Sequence, residues 1–169
     1  MVSLSDPNPV IFFEPKSLYR KLEEQVPFEY YELELRRCDV VQEGSDLTIV
    51  SYGPQVYVAL DAIEEIKKSH PDVSIEMIDL QTVYPIDFET IVNSVNKTGR
   101  LIVSHEGPRG NGIGSEVASV IQERCFYSLE SPIERVCGLD TPFPLTTEPL
   151  YLPGKFKLVE AIKRSLELG

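Results

Sequence analysis

The chain has 169 residues, of which 42% are hydrophobic and 25% are charged, a composition that is typical of a globular domain and excludes disordered and fibrous classes. Its 27 acidic and 16 basic residues give a formal net charge of -11, which makes nucleic acid and anionic membrane surfaces unsuitable partners. No apolar run approaches the roughly 18 residues that span a bilayer, so we expect no membrane segment.

The cysteines and histidines are too few and too dispersed for a disulfide framework or a zinc site. Three cysteines (Cys38, Cys125 and Cys137) and two histidines (His70 and His105) are widely spaced, without a C-x-x-C pair. Cys125 lies in a helical pattern and Cys137 in an apolar run, which predicts buried structural thiols.

The first part of the chain is predicted to be extended and connective. Val10–Phe13 reads VIFF and has strand character, but the sequence offers it no obvious partner strand. Ser17–Gln25 predicts a short helix or turn that ends before Pro27.

Strands and helices alternate in the rest of the chain. The predicted strands are DVVQ at Asp39–Gln42, LTIVSYG at Leu47–Gly53, VSIEMIDL at Val73–Leu80, RLIVSH at Arg100–His105 and IERVCG at Ile133–Gly138. The predicted helices are Pro54–Lys68, a helix capped by Asp87 and Gly99, a helix that begins near Ser115, and a final helix with apolar Phe156, Val159, Ile162 and Leu166.

This alternation predicts a doubly wound α/β fold whose mostly parallel sheet is covered on both faces. The turn signal EGSD separates DVVQ from LTIVSYG. We therefore expect these two segments to form a hairpin, in which DVVQ supplies one antiparallel edge strand.

The segment HEGPRGNGIG follows a predicted strand and is the clearest candidate for a binding loop. Its glycines, Gly110, Gly112 and Gly114, have the spacing GxGxG, which fits neither the dinucleotide fingerprint nor the P-loop. A helix N-terminus with Arg109 nearby could still bind an anion. The structural alternative, which we favour, is that the glycines only allow a sharp turn between strand and helix.

His105 and Glu106 are the adjacent pair that could act as an acid and a base. Neighbouring residues on a strand point in opposite directions, so a structural, hydrogen-bonded histidine is the favoured interpretation. No nucleophile motif accompanies the pair.

Several segments together resemble the C-terminal part of a 2-oxoacid dehydrogenase beta subunit. They are DPNPVIFFEPKSLYR, EGSDLTIVSYG, IDLQTVYPID, NKTGRLIVSHE, GSEVAS and VCGLDTPFP. The resemblance covers essentially the whole chain, and GLDTPFP followed by EPLYLP is most similar to the branched-chain type. Pyruvate and acetoin dehydrogenases are the near alternatives.

The resemblance implies a transketolase C-terminal-like domain at residues 44–169, built as a three-layer α/β/α sandwich with a five-stranded, mostly parallel sheet and one antiparallel edge strand. Residues 1–43 are then the end of a preceding pyrimidine-binding domain and a linker. In the family, thiamine diphosphate and magnesium bind between the alpha subunit and the other half of beta. We therefore expect no cofactor and no catalytic residue in this chain, and no activity from it alone.

The partners implied by the resemblance are the alpha subunit, a second beta subunit and the subunit-binding domain of the dihydrolipoyl acyltransferase core. Glu130, in FYSLESP, matches the acidic docking position of pyruvate-type relatives, where the C-terminal carboxylate, here on Gly169, takes part as well. The implied location is the mitochondrial matrix in a eukaryote and the cytoplasm in a bacterium.

Two alternatives from other classes remain open at this point. One is an independent anion-binding or nucleotide-binding α/β module that uses the loop at His105–Ser115. The other is a pure oligomerisation module that does not bind an acyltransferase core.

Overall fold

The computed structural model describes residues 2–23 and 25–168 and contains a single five-stranded sheet among them. The strands are β1 (Asp39–Gln42), β2 (Leu47–Ser51), β3 (Ile75–Asp79), β4 (Leu101–Pro108) and β5 (Glu134–Gly138). The helices are α1 (Val2–Ser5), α2 (Pro54–Ser69), α3 (Phe88–Thr98), α4 (Ile113–Cys125), α5 (Glu148–Tyr151) and α6 (Lys155–Ser165). Short 3-10 helices lie at Lys16–Leu18, Phe126–Ser128 and Leu145–Thr147.

The strand order is β1-β3-β2-β4-β5, and only the β1–β3 pair is antiparallel. Helices α2 and α6 cover one face of the sheet, and α3 and α4 cover the other. The structure therefore confirms the predicted three-layer α/β/α architecture with one antiparallel edge strand.

The predicted hairpin between β1 and β2 is wrong. β1 pairs with β3, with Asp39 opposite Asp79, because both sides of β2 are occupied by its parallel neighbours β3 and β4. The connection at residues 43–46 must therefore cross the start of β3. Gly44 makes this crossing possible, since a Cβ at this position would lie 2.2 Å from the Glu76 nitrogen.

The ends of α3 confirm two local predictions. Asp87 Oδ1 accepts a hydrogen bond from the Thr90 N–H at 3.1 Å and so caps the helix, and Gly99 ends it with a φ of 70°. Asp87 Oδ2 also accepts the Cys38 N–H at 3.1 Å, which joins the start of β1 to α3. Burial raises the pKa of Cys38 to about 12, with Asp87 acting in the same direction, so this thiol stays neutral.

The apolar face of α6 differs from the prediction. Leu158, Ala161 and Ile162 are buried against α2 and the sheet, whereas Phe156 is 69% exposed. Of the other predicted residues, Ile162 is buried and Val159 and Leu166 pack against the same core, so the prediction is wrong only at Phe156. Packing against α2 selects the face that contains Leu158, which the spacing of apolar residues in α6 alone does not decide.

The residues before β1 are mostly without regular structure. Val10–Phe13 forms no strand, and Ile11 and Phe13 are 80% and 84% exposed, because a strand propensity is not realised without a neighbouring strand to pair with. The predicted helix or turn at Ser17–Gln25 begins with the 3-10 helix Lys16–Leu18.

The division of the chain into residues 1–43 and 44–169 stays a prediction, although β1, before residue 44, belongs to the sheet. None of the helices in the described part of the chain has the length and apolar character needed to cross a membrane.

Candidate functional site

The glycine-rich loop, residues 109–112, joins β4 to α4 at the carboxyl end of the parallel strands. Two hydrogen bonds attach it to the last residue of β5 and to the chain that follows this strand. The Arg109 N–H donates to the Gly138 carbonyl at 3.2 Å, and the Gly110 N–H donates to Asp140 Oδ1 at 2.7 Å. These two hydrogen bonds hold the loop against the carboxyl end of β5.

His105, on β4, is completely buried beneath this loop. Its Nε2 accepts a hydrogen bond from the Gly114 N–H, in the first turn of α4, at 3.0 Å. Because the accepting nitrogen carries no proton, the ring must be neutral with its proton on Nδ1. Nδ1 is buried and has no hydrogen-bond partner among the described residues.

Two further side chains surround the His105 ring. The register of β4 and β5 places His105 opposite Cys137, whose sulfur lies 3.3 Å from Nε2. Tyr52 stacks on the other side, with ring centroids 6.1 Å apart and an interplanar angle of 23°. No sequence pattern indicated this group of side chains. The prediction that Cys137 is a buried structural thiol is only partly right, because Cys137 is half-buried and lines a cleft.

The surroundings keep both members of the thiol–imidazole pair neutral. Burial lowers the pKa of His105; the backbone of Gly107 opposes this shift, and the charge of Arg135 adds to it. Burial raises the pKa of Cys137, even though Arg135 acts in the opposite direction. A reactive cysteine needs a stabilised thiolate, so this pair is not arranged as a catalytic nucleophile and base.

The loop glycines are required by close packing around His105. A Cβ on Gly114 would lie 2.8 Å from His105 Nε2, and one on Gly112 would lie 2.5 Å from the Pro108 carbonyl oxygen. The Gly114 N–H, which an anion at this helix terminus would need, is already bonded to His105. This geometry supports the structural interpretation of the loop over the anion-binding one.

A cleft of about 330 Å³ lies beside the loop, between β5 and α6. Its charged lining consists of Arg109, Glu134, Arg135, Asp140, Lys157, Glu160 and Arg164. Glu134 binds Arg164 through two hydrogen bonds of 3.0 and 3.2 Å, and Arg135 donates to the Ser115 hydroxyl at 2.8 Å. Positive and negative side chains are thus nearly balanced in the cleft.

The described residues form no ready-made metal cluster. Within residues 2–23 and 25–168, no three His, Cys, Asp or Glu side chains lie close enough together to hold a metal ion. The one glycine-rich helix terminus has its Gly114 amide occupied by His105.

Glu130, the predicted docking residue, has a structural role of its own. Its N–H donates to the Gly99 carbonyl at 2.8 Å, and its carboxylate forms an ion pair with Arg100 at 2.8 Å. The side chain of Glu130 is nevertheless 58% exposed, so it remains accessible to a partner. Arg100 as its intramolecular partner was not anticipated from the sequence. Gly169, the second predicted docking residue, lies outside the described residues.

Comparison with known proteins gives one family and a set of similar subunits. The family model for the transketolase C-terminal domain matches residues 36–157. The chain is 49% identical over 164 residues to the 2-oxoisovalerate dehydrogenase subunit beta 2, mitochondrial, of Arabidopsis thaliana, covering 97% of this chain and 45% of that protein. It is 43% identical to the pyruvate dehydrogenase E1 component subunit beta of a Staphylococcus epidermidis strain, covering 98% of this chain and 50% of that protein.

A solved structure supports the same fold. A split-gene transketolase, described as an inactive beta4 tetramer, matches with a TM-score of 0.70 and 28% identity over 82% of this chain and 44% of that chain. The chain thus spans about half the length of the curated relatives that it matches.

Proposed function

Because the chain belongs to the transketolase C-terminal domain family, we propose that it is the C-terminal assembly domain of a 2-oxoacid dehydrogenase beta subunit of the branched-chain type. The observation that carries the proposal is the 49% identity to a 2-oxoisovalerate dehydrogenase beta subunit over 97% of this chain. The complete enzyme would decarboxylate 2-oxoacids oxidatively and pass the acyl group to lipoyl groups. The location that follows is the mitochondrial matrix in a eukaryote or the cytoplasm in a bacterium.

In this proposal the chain contributes surfaces that bind other subunits. Thiamine diphosphate and magnesium are held elsewhere in the complete enzyme. The partners are the alpha subunit, a second beta subunit and the subunit-binding domain of the dihydrolipoyl acyltransferase core. The acidic character of the chain, with a net charge of -11, suits a basic docking partner.

A pyruvate-type beta subunit is the second candidate, supported by 43% identity to a pyruvate dehydrogenase beta subunit. Chimeric beta subunits separate the two candidates, with this chain replacing the corresponding half of a branched-chain or a pyruvate-type protein. We expect the branched-chain chimera to assemble with its own alpha subunit, measured by light scattering, and the pyruvate-type chimera to assemble more weakly. Stronger assembly of the pyruvate-type chimera would reverse the assignment, and no assembly of either would refute the proposed role.

The 169-residue chain alone is expected to have no decarboxylase activity. In this proposal thiamine diphosphate and magnesium are held by other parts of the complete enzyme, so adding them to this chain should not produce turnover. The measurement is carbon dioxide release from 2-oxoisovalerate and from pyruvate, with an intact dehydrogenase as the positive control. Turnover that follows the purified chain through two different columns would contradict the proposal.

Replacing Glu130 with lysine is expected to weaken binding to the acyltransferase subunit-binding domain about tenfold at low salt, and less at high salt. The exposed carboxylate would otherwise attract the basic partner. Titration calorimetry at two salt concentrations measures the change.

Two control variants separate docking from folding. Glu123→Lys on α4 makes the same change in net charge and should leave the affinity within about twofold. Arg100→Met removes the same internal ion pair but keeps the Glu130 carboxylate, so it should bind at least as well as the parent chain. If Glu130→Lys and Glu123→Lys weaken binding equally, Glu130 has no specific docking role.

A further inference from the structure

His105 is placed where its protonation state decides whether one particular hydrogen bond exists. Its Nε2 accepts the Gly114 N–H at 3.0 Å, and that amide belongs to the first turn of α4. A protonated imidazole has no free lone pair and cannot accept a hydrogen bond. It would also direct a positive charge at the N-terminus of a helix, where the backbone dipoles disfavour cations.

The glycine-rich loop depends on the same contact because it packs directly on the ring. The β-position of Gly112 lies only 2.6 Å from His105 Cε1, and that of Gly114 only 2.8 Å from Nε2. A side chain at either glycine would displace the ring or the loop, so the loop backbone lies directly against the ring.

Asp140, which accepts the Gly110 N–H, is the nearest acidic group after β5, but the one charge that shifts the pKa of His105 is the positive charge of Arg135. Tyr52, after β2, has a pKa raised by burial, and so has Cys137 of β5, so both are neutral near neutral pH. Arg135 of β5 is positively charged. On β4 itself, Glu106 is the next residue; burial, with Glu148 nearby, raises its pKa, and it is not among the groups that shift the pKa of His105. On α4, Glu116 is exposed.

We propose that His105 is a pH-sensitive switch: the neutral ring holds the glycine-rich loop and the start of α4 closed, and protonation of the ring releases them. Release would uncover the loop side of the cleft, where Arg109 and Cys137 lie. The inference concerns the conformation of this chain and does not depend on the identity of the parent enzyme.

The direction of the pH dependence follows from linkage. The pKa of His105 is lowered in the folded chain, so its contribution to stability is present above the pKa of an unfolded histidine and is lost as the pH falls below it. Where the loop has opened, the ring regains an ordinary pKa of about 6.5. Between about pH 7.5 and about pH 5.5, the equilibrium constant for opening should therefore rise about tenfold.

Hydrogen exchange of the loop amides, corrected for the intrinsic pH dependence of exchange, tests the proposal. In the full chain, protection of the Arg109, Gly110 and Gly114 amides should fall about tenfold over this pH range, while amides of β2 keep their protection. In His105→Gln, whose amide oxygen can accept the same hydrogen bond without titrating, loop protection should vary by less than about twofold over the range. Loop protection that is constant with pH in the parent chain, or that falls equally in His105→Gln, overturns the proposal.

Two controls and one independent measurement complete the experiment. His70→Gln, at the other histidine, and Cys137→Ala, which removes the neighbouring thiol, should both retain the tenfold change. If His105→Gln does not fold, nitrogen NMR of the parent chain gives the answer instead. It should show the ring proton on Nδ1 at neutral pH and a titration that coincides with loop opening. Titration of His105 with the loop amides still protected would disprove the switch.

Discussion

Replacing Gly44 with alanine is expected to lower the free energy of unfolding by about 3 kcal/mol, as overpacking against rigid neighbours does. The new Cβ would lie 2.2 Å from both the Glu76 nitrogen and the Ile75 carbonyl carbon, which are backbone atoms of β3. Backbone in the middle of a sheet cannot rotate away as a flexible side chain can. The connection between β1 and β2 would therefore have to move, and the hydrogen bond from the Gly44 N–H to Glu76 Oε2 would be lost.

Urea unfolding followed by circular dichroism measures this loss. Gly154→Ala is the matched control, because no atom lies within 4 Å of its added Cβ and its φ of -85° suits alanine. Gly154 precedes α6 as its N-cap, where alanine is less favourable than glycine by up to about 1 kcal/mol, so the control should lose no more than about 1 kcal/mol. Equal losses in the two variants would show that the crossing at Gly44 is not close-packed.

Replacing Lys97 with methionine is expected to lower the free energy of unfolding by about 2 kcal/mol at neutral pH, because it leaves the buried Glu76 carboxylate without its cation. The Glu76 side chain is 3% exposed and forms an ion pair with Lys97, whose own side chain is 44% exposed. That exposure of Lys97 is why the expected loss is smaller than for a fully buried pair. Glu43 binds the same ammonium at 3.2 Å but is itself mostly exposed.

The pH dependence of this loss identifies its cause. Burial raises the pKa of Glu76, but hydrogen bonds, first among them that from Lys97, outweigh burial and bring the pKa below its ordinary value. In the parent chain Glu76 therefore adds stability above that ordinary value, and the stability is lost as the pH falls through the lowered pKa. Without Lys97 the largest of the hydrogen bonds that lower the pKa of Glu76 is lost, so this pKa rises, and protonation of Glu76 then removes the unpaired charge from the variant. The difference between variant and parent should shrink as the pH falls from about 7 to about 4.

Two further variants test this explanation. Lys68→Met breaks an exposed ion pair with Glu65 and should cost less than about 0.5 kcal/mol. Adding Glu76→Gln to Lys97→Met removes the buried charge and should recover at least about half of the loss. A loss in Lys97→Met that is independent of pH, or that Glu76→Gln does not relieve, would indicate that Lys97 contributes only packing.

The features predicted correctly from the sequence are those fixed by local chemistry. Asp87 and Gly99 mark the ends of α3 because capping depends on residues within one turn, and the alternation of strands and helices predicts a covered parallel sheet. The pairing of β1 with β3 escaped prediction because it depends on which strands already occupy the sides of β2. Phe156 was assigned to the wrong face of α6 because the partner helix, and not the periodicity, sets the rotation.

The candidate site also combines features that local sequence predicts with contacts that only the fold creates. The glycines of the loop were correctly interpreted as permitting a turn, but no local pattern indicates that they pack on an imidazole ring. His105 and Cys137 are 32 residues apart and become neighbours only through the register of β4 with β5. Likewise, Glu130 and Arg100 meet because the segment after α4 returns to the end of α3. Contacts of this kind are properties of the fold and carry no local signal.

The antiparallel strand β1 has a practical consequence for dissecting the protein. It covers the outer side of β3, a strand whose residues Ile75, Met77 and Ile78 are buried. A truncation that begins at residue 44 would bare that strand's unpaired amides and carbonyls and invite edge-to-edge aggregation. Expression boundaries should therefore be set ahead of Cys38, so that the protecting strand is retained.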